Sequence, residues 1–90
     1  MIETSAAKPR FPRGVRLRFD KVRERHVLLY PEGALTLNET AVAVLELCDG
    51  VRTIDEISAE LGSRYETDVS ADVLGLLRSI ADRGFLVDVE

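Results

Sequence analysis

The feature that most constrains this chain is a change of hydrophobic period at Leu37–Asn38. Before it, apolar residues alternate; after it, they recur three and four residues apart. Val15, Leu17 and Phe19 fall on one face of an extended segment and Arg16, Arg18 and Asp20 on the other, the pattern of a half-buried strand. His26-Val27-Leu28-Leu29-Tyr30 predicts a second strand, apolar on both faces, after a polar connection over residues 20–25. Tyr30-Pro31-Glu32-Gly33 is a turn, and the spacing predicts a three-residue hairpin closed by Gly33 in the left-handed conformation. Ala34-Leu35-Thr36-Leu37 follows as a short third strand.

Past that point the apolar residues take helical spacing. Asn38 suits an N-cap, and Ala41, Val42, Leu45 and Cys48 form a stripe that Val44 and Leu47 widen nearly all round. A central helix is predicted, stopped by Asp49-Gly50 with Gly50 as its left-handed cap. Thr53-Ile54-Asp55-Glu56 is a capping box, followed by Ile54, Ile57 and Leu61 at helical spacing, with Gly62 near the end. A third helix starts at Ser70, carries Val73, Leu74, Leu77, Ile80 and Ala81, and ends at Gly84. Phe85–Val89 reads as a short terminal strand. The expected class is α+β: a three-stranded antiparallel meander followed by a three-helix bundle, winged-helix-like with its sheet moved to the front.

Residues 1–14, interrupted by Pro9, Pro12 and Gly14, show no period and are expected to form a flexible basic arm before a domain over residues 15–90. Residues 1–25 carry eight Lys and Arg against Glu3, Asp20 and Glu24, a balance of +5, within a chain of net charge −4. The rest is therefore strongly acidic. At 90 residues there is room for one small core and no deep cleft behind it. No apolar run approaches the roughly 20 residues of a spanning helix, and no signal-peptide pattern follows Met1, so a soluble cytoplasmic protein without a membrane partner is expected.

Catalytic chemistry has few candidates. Cys48 and His26 each occur once, so neither a disulfide nor the usual structural zinc sets can be assembled, and no metal or other cofactor is expected. Cys48 sits on an apolar stripe, where a free cysteine behaves as a small hydrophobe. Asp55, Glu56 and Glu60 are best read as a solvated helix face, with Glu56 closing the capping box. No glycine-rich phosphate loop is present. The pattern is not that of an enzyme.

A nucleic-acid partner would need basic residues on the recognition helix. The third helix carries Asp72, Arg78, Asp82 and Arg83 instead, and the second carries Asp55, Glu56 and Glu60. The third strand, by contrast, has no charge at all. Sheet edges are usually blunted by charge or proline, so an uncharged edge suits strand addition by a peptide. A helix, the arm or the terminal strand covering that edge is the competing account, and the pattern alone leaves the two open.

Leu28-Leu29-Tyr30-Pro31-Glu32-Gly33, Leu37-Asn38, Thr40-Ala41, Leu47-Cys48-Asp49-Gly50, Thr53, Glu56-Ile57, Ala71-Asp72-Val73-Leu74 and Arg83-Gly84 together resemble the PqqD family of peptide chaperones in pyrroloquinoline quinone biosynthesis. The similarity runs over about residues 9–87. It implies a non-catalytic adaptor that binds the precursor peptide PqqA as a strand beside the third strand, in a groove against the third helix. It further implies presentation of PqqA to the radical S-adenosylmethionine enzyme PqqE. Carried onto this chain, the groove is lined by Leu35, Thr36 and Leu37 and by the helix flank of Asp72, Leu76, Ile80 and Arg83. A recognition domain for a different ribosomally synthesised peptide is the alternative, and a winged-helix DNA-binding regulator comes after it.

Overall fold

The computed structural model describes residue 2 and residues 4–89. Strands β1 (Pro9–Arg10), β2 (Arg16–Asp20), β3 (Arg25–Tyr30) and β4 (Gly33–Thr36) precede helices α1 (Glu39–Leu45), α2 (Ile54–Tyr65) and α3 (Ser70–Asp82), and β5 (Val87–Asp88) closes the chain. β2, β3 and β4 form an antiparallel sheet in that order, and β1 pairs with β5 in a separate two-stranded ribbon. The α+β class and the order of elements from β2 to β5 are those expected from the period change, and β1 with its pairing to β5 is additional.

The hairpin between β3 and β4 is tighter than predicted. Tyr30 pairs directly with Gly33, leaving Pro31 and Glu32 as a two-residue loop. Gly33 does not adopt a positive φ. A bulge needs one extra residue on one strand, and here the ladder closes without it. α1 is also shorter than expected. It stops at Leu45, and Leu47 and Cys48 turn back to the carbonyls of Val44 and Leu45, both at 3.1 Å.

The caps follow the sequence closely. The Ala41 N–H donates to Asn38 Oδ1 at 2.8 Å. In the α2 capping box the Glu56 N–H donates to Thr53 Oγ1 at 3.1 Å and the Thr53 N–H to Glu56 Oε1 at 2.8 Å. At the end of α3, the N–H groups of Gly84 (φ +82°) and Phe85 donate to the carbonyls of Ala81 and Ile80, closing a Schellman motif. One core joins the three-stranded sheet and the three helices. Leu28, Leu45, Ile54, Ile57, Leu61 and Leu77 are fully buried in it, each such side chain contributing about 1.5–3 kcal/mol.

The expected arm is the main correction. Ile2 and Ala7 are each 4% exposed and belong to the core, and Pro9 is fully buried. The carbonyls of Ala7 and Ser5 accept from the N–H groups of Ile54 and Asp55, both at 3.0 Å. These are the first donors of α2, which have no partner inside the helix. The Gly50 N–H donates to the Pro9 carbonyl at 2.9 Å. A Cβ on Gly50 (φ +79°) would meet Val89 Cγ2 at 3.2 Å and Arg10 Cβ at 3.3 Å, so the chain passes closely here. The docking is made largely through main-chain atoms, which leave no period in the sequence.

Candidate functional site

The parity of the β3–β4 ladder decides what β4 presents. The Leu37 N–H donates to the His26 carbonyl at 3.1 Å, and hydrogen-bonded pairs alternate with non-bonded ones in an antiparallel ladder. Leu28–Leu35 and Tyr30–Gly33 are therefore bonded pairs, while Val27–Thr36 and Leu29–Ala34 are not. The main-chain groups of Ala34 and Thr36 point away from β3. No strand pairs with that side of β4 among the described residues. The edge is open and carries no charged side chain.

The strand residues expected to form the groove divide into two sets. Leu35 is half-buried and packs on the core, and Leu37 lies within the core just beyond the end of β4. Thr36 is exposed and turned to the other face of the sheet, along with Ala34. Ala34 was not among the expected residues. The two-residue loop is the signal that finds it, because pairing Tyr30 with Gly33 fixes the parity of every residue that follows.

On α3, Val73, Leu77 and Ile80 are buried and Leu74, Leu76 and Ala81 border the core. Ala71 and Leu74 line a concavity of about 280 Å³ with Ser5 and with Ile54 and Ser58 of α2, so that flank faces α2 and the N-terminal segment. At ~100° per residue Leu76 lies on the opposite side of the Leu77 stripe from Leu74. Asp72 and Arg83 are exposed, whereas Ile80 is 4% exposed and belongs to the core rather than to an open surface. Tyr30 stacks on Phe85 with ring centroids 4.3 Å apart, tying the turn end of the hairpin to the residues just after α3.

Near the far end of the hairpin, a concavity of about 610 Å³ lies between Phe19 and His26 of the sheet, Thr36 to Asn38, and Val42, Ala43 and Glu46 along α1. His26 there meets Phe19 edge to face, with centroids 5.1 Å apart. Cys48 is buried, and its thiol donates to the Val44 carbonyl at 3.6 Å. Burial, with the nearby Asp49 charge, pushes the thiol pKa up to about 12, so it stays protonated and a poor nucleophile. The shifted carboxylates belong to helix ends and turns. Glu56 is held below its usual value by hydrogen bonds from the Thr53 N–H and hydroxyl, and Asp49 by those from the Arg52 and Val51 N–H groups. Among the described residues, no three His, Cys, Asp or Glu side chains come together as a metal site. No helix is long and apolar enough to cross a membrane.

What the fold sets up is a small α+β domain with a bare sheet edge, the Leu76 flank of an amphipathic helix turned away from its α2 neighbour, and perturbed carboxylates that belong to helix ends and turns. Residues 25–86 match the family Coenzyme PQQ synthesis protein D (PqqD), and the chain belongs to that family. It is 40% identical over 88 residues to the PqqA binding protein of Rhodopseudomonas palustris, covering 94% of this chain and 86% of that one. It is 49% identical over 81 residues to the bifunctional coenzyme PQQ synthesis protein C/D of Methylorubrum extorquens, 87% of this chain but 22% of that longer protein. Among solved structures, it is similar to the PqqD truncation of Methylobacterium extorquens PqqCD. That truncation is described as a functional, stand-alone recognition element for ribosomally synthesised and modified peptides. The TM-score is 0.74 at 49% identity, covering 88% of this chain and 87% of that one. The crystal structure of PqqD from Xanthomonas campestris gives a TM-score of 0.55 at 27% identity, covering 91% of this chain and 94% of that one.

Proposed function

We propose that this protein is a non-catalytic chaperone that binds the precursor peptide PqqA as an added strand on β4 and presents it to PqqE in the cytoplasm. The observation that carries the reading is the edge of β4. Ala34 and Thr36 offer outward main-chain donors and acceptors on a strand that no charge protects. In strand addition, main-chain hydrogen bonds supply affinity and alternate side chains supply specificity. Leu35 and Leu76 form the apolar walls, Leu37 and Ile80 support them from the core, and Asp72 and Arg83 make the polar rim. The sheet preceding the helices is read as a winged-helix-like arrangement put to peptide rather than nucleic-acid use. Relatives called PqqA binding proteins and a solved recognition element of 49% identity support this reading.

A titration by calorimetry tests it with PqqA, a scrambled PqqA and duplex DNA. Saturable binding of PqqA alone is expected. Equal binding of the scrambled peptide, or tighter binding of DNA, would overturn the proposal.

A further inference from the structure

The sheet has a second face that the core does not use. Across it the register sets two rows, Arg16–Leu29–Ala34 and Arg18–Val27–Thr36. Leu29 is half-buried and Val27 is 7% exposed, yet neither belongs to the core cluster. They form instead the floor of a concavity of about 370 Å³, bounded by Ala34 and Thr36 at the open edge and by Arg18 and Arg23 on the far side. Asp20 also borders it and meets Arg23 at 3.9 Å. Arg16 and Arg18 have no carboxylate partner among the described residues. A basic, apolar-floored surface therefore sits on a protein whose net charge is −4.

Ala34 and Thr36 carry both the outward main-chain groups of β4 and side chains on this outer face. A strand added to β4 would pair with them, and the residues opposite them would project onto the same face. We infer that the docking site has two sides: alternate side chains of the bound peptide lie over Val27 and Leu29 on the outer face, and an acidic one among them is received by Arg16 and Arg18. The distance fits. An added strand lies about 14 Å from β2, three interstrand spacings, which a glutamate and an arginine reaching toward each other over the apolar floor can bridge. Arg16, Arg18 and Arg23 make this face attractive to a negative side chain, on a chain whose net charge is −4. The inference rests on strand addition at β4 and names the chemistry of the peptide that β4 selects.

The test uses PqqA as the probe and three variants, Arg16→Glu/Arg18→Glu, Arg16→Gln/Arg18→Gln and Thr36→Pro, each checked for an unchanged melting temperature. The charge reversal should weaken PqqA binding about tenfold at low salt and flatten its salt dependence. PqqA peptides with acidic residues changed singly to lysine should then include one that binds the reversed protein better than PqqA itself does, a coupling that a general loss of folding cannot produce. If Arg16→Gln/Arg18→Gln and the charge reversal both bind PqqA like the parent while Thr36→Pro binds weakly, the outer-face inference is overturned and strand addition stands. If no lysine peptide recovers affinity, the arginines act without pairing and the inference also fails. Were the face covered by a second copy of the chain, the reversal would change sedimentation of the free protein without changing PqqA affinity, again overturning it. Undiminished binding by Thr36→Pro would remove the strand-addition reading itself.

Discussion

The two edges of the one sheet have opposite characters. β2 carries Arg16, Arg18 and Asp20, whereas β4 carries no charged side chain. Parity sharpens the contrast. On β2 the main-chain groups that point outward belong to Leu17 and Phe19, because Arg16 and Arg18 are bonded to Leu29 and Val27. On β4 they belong to Ala34 and Thr36. Charge on an edge discourages association with other strands, and only β2 has it. This sheet protects one edge and leaves the other available.

The largest effect expected is the contrast between two neighbouring prolines on β4. Leu35→Pro removes an inward donor and a half-buried side chain, a loss of about 3 kcal/mol. It should lower the melting temperature by more than about 10 °C in a thermal scan. Thr36→Pro removes only an outward donor. Its melting temperature should stay within about 2 °C of the parent, while PqqA affinity falls about tenfold, as for ~1.4 kcal/mol. Should Thr36→Pro keep the parent's affinity, β4 is not the docking edge.

A control away from both edges separates binding from stability. Thr53→Ala removes an N-cap, a loss of about 1 kcal/mol, and should lower the melting temperature by about 4–8 °C. PqqA affinity well below that temperature should not change. If affinity drops with stability here, the loss in Thr36→Pro would no longer single out the edge. The other half of the capping box, Glu56, has a pH signature. The folded-state pKa of Glu56 is depressed below the usual 4.5 by its bonds with Thr53, so its stabilising contribution is complete above that value and lost as pH falls through the folded one. Glu56→Gln lacks the titrating carboxylate, so its acid denaturation curve should converge on that of the parent at low pH, where Glu56 is protonated.

The smallest effect is expected on the protected edge. Phe19 is 51% exposed and its N–H points away from the sheet. Phe19→Pro should leave PqqA affinity within about twofold and cost about 1 kcal/mol of stability through the lost contact with His26. A tenfold loss of affinity would instead make β2 the docking edge and reverse the comparison.

Much of this was legible before the fold was known, because it depends on neighbours in sequence. The alternation over Val15 to Phe19, the helical spacing over Val73 to Ala81, the Thr53–Glu56 box and the Gly84 cap each involve residues a few positions apart, and each appears where expected. The uncharged β4 segment could likewise be read directly, since it needs only the identities of Ala34 to Leu37.

The tertiary structure decided what depends on main-chain pairing across the chain. Side-chain patterns do not specify whether Leu35 or Thr36 turns its N–H outward; the two-residue loop at Pro31-Glu32 and the bond from Leu37 to His26 do. The arm expected over residues 1–14 shows no period because, besides a few scattered buried side chains such as Ala7 and Pro9, its docking uses carbonyls, those of Ser5 and Ala7 on the first turn of α2 and that of Pro9 on Gly50. Ile80 was carried to the groove by the family resemblance, although its spacing from Leu77 is that of the buried stripe, and the core holds it. A carbonyl is the same at every residue, so composition and period carry no trace of where it is used. Only the meeting of segments distant in the chain assigns its partner.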